Sequence, residues 1–256
     1  MAKRDQQWIS EVLFHADGIL ALDSLSCWLY PPQPKVPIGK PKVDEYFFQK
    51  AFLWMPRRMF KIPVACTRCL RPLMSKGLYN RIREVIDTDC RYYLITEYLA
   101  CSRCKDPSPT YVGWSLDILN QLDHGHKLLF PAVLTHKATC DRKVTTMLRG
   151  RTLGNSSTHL RNMLLELHSE QWMRQVIHYL SDCKRHKEKA AQGIPGVMGF
   201  DSTYDEPPQL PNMLGPRWFV TCHGNDTLAR LEEVKAQITS VYGKILKLDS
   251  TKKVTN

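Results

Sequence analysis

Four of the nine cysteines lie in two C-x2-C pairs. The first pair is Cys66 and Cys69, and the second, after a spacer of 31 residues, is Cys101 and Cys104. Two residues between thiols let one tight turn aim both sulfurs at a common point, so two such turns supply the four soft ligands of a tetrahedral structural Zn²⁺ site. The pattern therefore predicts one structural zinc ion. Because four sulfurs leave no position for a substrate, we expect this site to stabilise structure and not to catalyse.

The spacer between the pairs has the composition of β-strands. Residues 81–87 alternate apolar and polar side chains, and residues 91–100 are rich in tyrosine and other strand-forming residues. Residues 87–89, Asp-Thr-Asp, suit a turn between them. We expect a hairpin that returns the second cysteine pair to the first. Two unrelated redox pairs are the alternative, and Cys90, at the expected turn, is interpreted as a bystander.

The number of cysteines and the length of the apolar segments indicate where in the cell the protein is located. An odd number of cysteines does not suggest a disulfide framework, and C-x2-C pairs in a reduced protein are typical of metal ligands. No stretch reaches the ~18 apolar residues of a membrane span. The apolar run at residues 12–22 is interrupted by His15 and Asp17, unlike a signal peptide. We expect a nuclear or cytoplasmic protein that is neither secreted nor bound to a membrane.

The formal net charge of +11 is concentrated in two segments. Residues 56–105 contain 11 Lys and Arg against 4 Asp and Glu, and residues 137–190 contain 11 against 5. Concentrated positive charge attracts polyanions and favours binding through counterion release. DNA is the expected partner and RNA the alternative, whereas a solvated basic surface would explain the charge without a partner. The residues expected to contact nucleic acid are Arg68, Arg71, Lys76, Arg81, Arg83, Arg103, Arg161 and Arg174.

Composition and periodicity divide the chain into five segments and predict an α+β fold. The expected segments are an N-terminal helix with a proline-rich stretch (1–45), a zinc-ribbon module (46–122), a helical domain (123–190), a proline-rich linker (191–216) and a C-terminal helix and strand (217–256).

Three short helices are expected in the helical domain, at residues 142–148, 158–168 and 169–187. Ser169 would open the third helix, and apolar residues including Ile177 and Leu180 would face inward. This arrangement fits a helix-turn-helix whose third helix reads a DNA groove. A plain helical bundle packed on the zinc module is the equal alternative.

Several motifs resemble an uncharacterised zinc-ribbon family of eukaryotic transposon-derived proteins. The matching motifs are Trp54-Met55-Pro56, Cys66-Thr67-Arg68-Cys69, the tyrosine-rich strand, Cys101-Ser102-Arg103-Cys104, Phe130-Pro131-Ala132-Val133-Leu134-Thr135 and Gly154-Asn155-Ser156. The resemblance covers about residues 46–185. It is specific in its cysteines and implies little about chemistry.

A shorter resemblance lies at residues 243–251, Gly-Lys-Ile-Leu-Lys-Leu-Asp-Ser-Thr, which look like the first core strand of an RNase H-like transposase domain. That resemblance implies that Asp249 is a remnant of the first of three metal-binding carboxylates. The other two would lie beyond Asn256, so we expect no catalysis by this chain.

Together these features predict a zinc-stabilised DNA-binding protein with a transposase-like ancestor. Two alternatives remain open. One is a protein-interaction module that uses the aromatic, proline-rich residues 28–60. The other is an inactive fragment of a larger nuclease or transposase.

Overall fold

A computed structural model describes residues 1–21, 26–34, 39–104, 109–149, 156–191, 203–231 and 235. The helices are α1 (Lys3–Leu13), α2 (Pro56–Met59), α3 (Leu116–Leu119), α4 (His124–Leu129), α5 (Arg142–Met147), α6 (Ser157–Ala191) and α7 (Pro216–Ala229), with a 3-10 helix at Val43–Tyr46. The strands are β1 (Trp28–Leu29), β2 (Ala51–Trp54), β3 (Met74–Leu78), β4 (Arg83–Ile86), β5 (Arg91–Ala100), β6 (Thr110–Val112), β7 (Ala132–Leu134) and β8 (Thr139–Asp141). The predicted α+β class is confirmed.

Strand β5 is the spine of the sheet. Its first half pairs with β2 in parallel and with β4 in antiparallel orientation, within the order β1-β2-β5-β4-β8-β7. Its second half pairs with β3 on one side and β6 on the other, both antiparallel. The ten residues of β5 are mostly buried tyrosine, leucine, isoleucine and threonine, a composition that suits a strand covered on both faces. All eight strands, which lie between residues 28 and 141, therefore belong to one sheet.

The hairpin expected from the spacer is confirmed as β4 and β5. Val85 pairs with Tyr92, and the Asp87 N–H donates to the Cys90 carbonyl at 2.9 Å to close the turn. The hairpin is not what joins the two cysteine pairs, however. Strand β3, which its sequence Met-Ser-Lys-Gly-Leu does not suggest, pairs Met74 with Ala100 and so aligns the ends of the two cysteine segments.

The sheet is buried on both faces. On one face, Trp54 donates its indole N–H to the Gly113 carbonyl at 3.0 Å and packs against Phe130. On the other, helix α1 packs Trp8, Ile9 and Leu13 onto β2 and β5. Apolar side chains on both faces give the sheet the rigidity needed to hold loops at its ends in fixed positions.

Helix α6 corrects the prediction of two helices at residues 158–187. It runs without a break from Ser157 to Ala191. Ser169 does not cap a new helix, because its hydroxyl donates to the Leu165 carbonyl at 2.6 Å within the same helix. The predicted helix-turn-helix is therefore wrong in its central feature, the turn before a reading helix.

The outer face of α6 also differs from the expectation. Leu160 and Leu164 are buried as predicted. Ile177 and Leu180, expected to face inward, are 57% and 51% exposed, and Met173 beside them is 49% exposed. Their spacing of four and three residues along α6 places these three side chains on one side of the helix, away from the core.

The predicted linker is partly built into the fold. Residues 203–215 contain no helix or strand but pack along α6, where Trp172 donates its indole N–H to the Pro208 carbonyl at 3.0 Å. Helix α7 begins at Pro216, ten residues before the helix predicted at 226–241, and proline suits the first turn. Residues 232–234 and 236–241 of that predicted helix, the strand at 244–248 and Asp249 lie outside the described residues.

Candidate metal centre

The four cysteines of the two C-x2-C pairs come together in space. The Sγ atoms of Cys66, Cys69, Cys101 and Cys104 all lie within 4.8 Å of one another, and those of Cys69 and Cys101 are 3.5 Å apart. Four sulfurs around one ion at about 2.3 Å would be about 3.8 Å apart, so the cluster has the size of a tetrahedral site. These cysteines are free thiols that could hold a metal ion.

A tight loop presents the first pair. Ala65 and Pro72 form an isolated β-bridge at its base, and the Cys66 N–H donates to the Arg71 carbonyl at 2.8 Å. Leu70 closes the loop with its N–H on the Cys66 carbonyl at 2.9 Å and adopts a φ of 58°. Leucine rarely occupies this left-handed conformation, so the loop geometry is maintained by its surroundings and not by local preference.

The end of β5 and the start of β6 present the second pair. Ala100, the last residue of β5, pairs with Met74 of β3 and with Thr110 of β6. Cys101 follows directly, and the Cys104 N–H points at the Cys101 sulfur at 3.5 Å. Three antiparallel strands therefore converge on the cluster, which fixes the second pair opposite the first.

Tyr111, which the sequence analysis missed, adds a hydroxyl to the cluster. Its Oη lies 3.5 Å from Cys66 Sγ, 2.8 Å from Thr67 Oγ1 and 3.2 Å from the Thr67 N–H that donates to it. The hydrogen bond between the Tyr111 hydroxyl and the Cys66 sulfur is the main reason why the pKa of Cys66 falls to about 6. The hydrogen bond thus favours the thiolate of Cys66, the form that binds metals.

The pKa values of two other thiols shift in opposite directions, because thiolates close to one another cannot all ionise easily. The Cys104 N–H is the main cause of a lowered pKa at Cys101. The hydrogen bond that the Cys104 thiol donates to Cys69, and then burial, raise the pKa of Cys104 to about 12. Thiolates this close repel one another, whereas a bound cation favours the ionised form of all four.

Gln121 is a second residue that the sequence analysis missed. Its Oε1 accepts from the Ala65 N–H at 2.7 Å and its Nε2 donates to the Ala65 carbonyl at 3.0 Å. The same Nε2 donates to the Asp117 carbonyl at 2.8 Å. This side chain fastens the residue before Cys66 to the segment that follows α3.

The predicted nucleic-acid contacts fall into two groups. Five are exposed and lie between or near the cysteine pairs in the chain: Arg68, Arg71, Lys76, Arg81 and Arg103. Arg68 lies between the two cysteines of the first pair and Arg103 between those of the second. The cluster of sulfurs thus brings these two loops together.

The other three residues predicted to contact nucleic acid are Arg83, Arg161 and Arg174. The Arg83 guanidinium donates to the Thr135 carbonyl at 2.7 Å. Arg161 and Arg174 lie on α6, where Arg174 pairs with Glu170 at 2.6 Å. The structure does not bring these three residues to the sulfur cluster by any contact it describes.

Cys90 belongs to a different group of side chains. The ligand atoms of Asp87, Asp89 and Cys90 lie within 4.8 Å of one another. The Lys50 ammonium, 3.0 Å from Asp87, and Lys143, at 3.6 Å, already neutralise the buried carboxylate. Burial opposes ionisation of Asp87, but its hydrogen bonds from the Thr88 N–H and Lys50 outweigh that effect and lower its pKa. Within this group, Asp87 is therefore held in a buried ion pair with Lys50.

Fold and sulfur cluster together define an α+β protein with a candidate structural metal centre. Residues 1–228 match a family described as a domain of unknown function (DUF6729), and the chain belongs to this family. No curated protein matches the chain, and no solved structure does. Among the described residues, no helix is long and apolar enough to cross a membrane. The family match does not test the transposon origin or the RNase H-like segment, so both stay predictions.

Proposed function

We propose that this chain is a zinc-stabilised nucleic-acid-binding protein, with DNA as its main partner. The observation that carries the proposal is the position of two exposed arginines. Arg68 and Arg103 each occupy the two-residue interval of one cysteine pair, so an ion bound by the four sulfurs would hold the two loops that carry these arginines side by side.

Zinc is the metal that suits this donor set. Four thiolates in a tetrahedral arrangement favour Zn²⁺ or iron–sulfur chemistry, and a single four-sulfur site of this size fits one zinc ion. Two cysteine loops at the ends of three antiparallel strands are the parts of a zinc ribbon. We infer that the ion has a structural and not a catalytic role, because the sulfurs fill its coordination sphere.

Local charge supports the choice of a polyanion. Residues 56–83 contain eight Lys and Arg and no Asp or Glu. This segment includes the first cysteine loop, β3 and the start of β4. Phosphate groups are bound by exposed arginines and lysines in such segments, with affinity that falls as salt rises. The resemblance to transposon-derived proteins favours DNA over RNA, and a nuclear location.

A protein partner is the second candidate. The aromatic segment at residues 28–60 was the surface expected for such a partner. Phe52 and Trp54 of that segment lie in the core, at 2% and 0% exposure, and cannot contact a partner. The exposed side chains of Met173, Ile177 and Leu180 on α6 favour it instead. Apolar side chains in a row on one helix face are typical of surfaces that other proteins cover.

The test is binding of a labelled random duplex, single strand and RNA by fluorescence anisotropy at two salt concentrations. We expect affinity for the duplex that falls steeply with salt. The double variant Arg68→Glu/Arg103→Glu should lose about tenfold or more of that affinity. The matched control is Lys3→Glu/Lys187→Glu, which makes the same charge change at exposed residues of α1 and α6.

Either of two results would overturn the proposal. One is a zinc-loaded chain with no affinity for any of the three nucleic acids. The other is an equal loss of affinity in the arginine variant and the control, which would indicate attraction by net charge alone. Binding of RNA in preference to duplex would correct the choice of partner.

A further inference from the structure

A cavity of about 820 Å³ lies between α7 on one side and β6, α3 and β7 on the other. Its volume is within the range of small-molecule sites. A second cavity, of about 350 Å³, adjoins it and shares these lining residues: Lys127, Arg142, Leu228 and Ala229. None of the four cysteines of the metal centre lines either cavity. The two cavities therefore form one extended site apart from the metal centre.

The walls of the larger cavity are mainly aliphatic. Its apolar lining residues are Val112, Trp114, Leu116, Leu119, Phe130, Ala132, Val133, Leu134, Leu228 and Ala229. The aromatic residues Trp114 and Phe130 are only 7% and 1% exposed, whereas Leu116 and Leu228 are each 69% exposed. The accessible part of the wall is thus aliphatic. A ligand with an aliphatic chain would remove this apolar surface from water, which is favourable.

Three cations line the larger cavity, and they are Arg83, Lys127 and Arg142. The acidic residue among the described lining side chains is Asp226, which is 3% exposed. Its carboxylate is already paired with Arg149 at 2.6 Å and with Arg230 at 4.0 Å, and neither arginine lines this cavity. Asp226 is therefore neutralised by other residues, and the cavity retains an excess of positive charge.

The partners described for two of the lining cations are neutral. The Arg83 guanidinium donates to the Thr135 carbonyl at 2.7 Å, and the Lys127 ammonium donates to Asn120 Oδ1 at 3.0 Å. A neutral acceptor satisfies a hydrogen bond but does not cancel the charge of the donor. An anion in the cavity would gain from these charges, more so because the walls exclude part of the water.

Arg142 lies where the two cavities meet. It is half-buried, and its guanidinium makes no hydrogen bond or ion pair within the part of the chain that the structure describes. Its Nε is enclosed by the protein, so the two terminal nitrogens are the atoms that a ligand can reach. Burial, and then repulsion from Arg230 and Arg149, lower the pKa of Arg142, although Asp226 opposes this shift. An anion beside the guanidinium would favour its charged form.

We propose that this site binds an aliphatic carboxylate of the fatty-acid class, with its chain against the leucines and its carboxylate against Arg142 and Lys127. This function goes beyond the proposed binding of nucleic acid. The chain's own C-terminal residues, 232–256, contain five Lys against three Asp and Glu. Their charge does not complement the cavity, which favours an anionic ligand from outside the chain.

The experiment is a calorimetric titration of the zinc-loaded full chain with decanoate. Decyltrimethylammonium has the same aliphatic chain with the opposite charge, and acetate has the carboxylate without the chain. We expect one decanoate site per chain, about tenfold or more weaker binding of decyltrimethylammonium, and no detectable binding of acetate. Arg142→Met should weaken decanoate binding by about tenfold or more. Lys137→Met, which removes one positive charge at an exposed position outside both cavities, should leave it unaltered.

Two further variants test the location of the site. Ala229→Trp adds bulk at an exposed position of α7 that lines both cavities, and it should abolish decanoate binding. Leu180→Asp removes an exposed apolar side chain of α6 and should leave binding unaltered. The opposite result for these two variants would place the ligand on α6 and overturn the inference.

Three other results would also overturn it. They are no binding of decanoate at about 1 mM, equal affinity for decanoate and decyltrimethylammonium, and equal affinity of Arg142→Met and the unaltered chain for decanoate. Should Arg142→Met fail to fold, Lys127→Met takes its place with the same expected loss. Duplex binding is measured separately, so its failure leaves this inference intact, and the absence of decanoate binding leaves the proposed function intact.

Discussion

The hydroxyl of Tyr111 lies 3.5 Å from the sulfur of Cys66, although the two residues are 45 positions apart in the chain. Tyr111 is the central residue of the three-residue strand β6, and its pairing with Leu99 sets the position of the side chain. The same hydroxyl contacts Thr67. One side chain from outside both cysteine pairs therefore orients the first ligand of the candidate metal centre.

Tyr111→Phe tests the contribution of that hydroxyl. The ring still fills its place, but Cys66 loses the hydrogen bond that favours its thiolate. Because groups that contact metal ligands tune affinity, we expect zinc affinity to fall by about tenfold, measured by competition with a coloured chelator. Tyr98→Phe is the control, since Tyr98 stacks on Tyr79 and its ring is retained. Equal affinities for the two variants would contradict the role assigned to Tyr111.

Gln121→Ala tests the attachment of the first cysteine loop. The variant loses both hydrogen bonds to Ala65, at 2.7 and 3.0 Å. The side chain is exposed, so the expected loss in the free energy of unfolding is modest, about 1 kcal/mol. Urea unfolding of the zinc-loaded chain measures it. Gln121→Glu keeps an acceptor for the Ala65 N–H but places a carboxylate oxygen against the Ala65 and Asp117 carbonyls, so it should lose at least as much, whereas a smaller loss would contradict the two-point attachment.

Removal of the metal should destabilise the whole fold. Strands β3 and β6 both begin beside the cysteine segments, and both pair with β5, the central strand. An ion that binds only the folded chain contributes its binding free energy to stability, so chelation should lower Tm by about 10 °C. Differential scanning calorimetry with and without chelator measures the shift. Cys27→Ser, outside the four ligands, should respond to chelator as the unaltered chain does.

His168 predicts a pH dependence of stability. It is 6% exposed and its Nε2 lies 3.0 Å from the Asp87 carbonyl. Burial lowers the pKa of His168, so the folded chain resists protonation more than the unfolded chain does. Its contribution is present above the unfolded pKa of about 6.5 and is lost as the pH falls below it.

The matching experiment compares urea unfolding at about pH 7.5 and about pH 5.5 for the unaltered chain and for His168→Gln. We expect the unaltered chain to lose more stability between the two pH values than the variant, which cannot take up the proton. His15→Gln, at an exposed position, is the control and should show the full loss. Identical losses in all three chains would show that His168 does not titrate between the folded and unfolded states.

Short sequence patterns correctly predicted strand β5, the cysteine cluster and the hairpin turn. Strand β5 was predicted with its observed bounds because most of its ten residues favour a strand. The four cysteines were predicted as one cluster because their spacing follows from the geometry of metal coordination. The hairpin turn at Asp87 was also predicted, because the short polar residues at 87–89 suit turns.

Elements decided by distant contacts were not predicted. Strand β3 has no apolar alternation and exists because it pairs with β5. The partners of Tyr111 and Gln121 lie 45 and 56 positions away, and no pattern in the sequence marks either side chain. Ser169 was read as a helix cap, but its hydroxyl is satisfied inside α6. In that helix, context overrode a local preference that is weak by nature.

The most direct test of the account is the metal content of the purified, reduced chain, measured by native mass spectrometry and elemental analysis. We predict one zinc ion per chain, lost in the double variant Cys66→Ser/Cys101→Ser and retained in Cys27→Ser. A folded, reduced chain that takes up no zinc from a stoichiometric supply would contradict the central claim that the four cysteines form a structural zinc site.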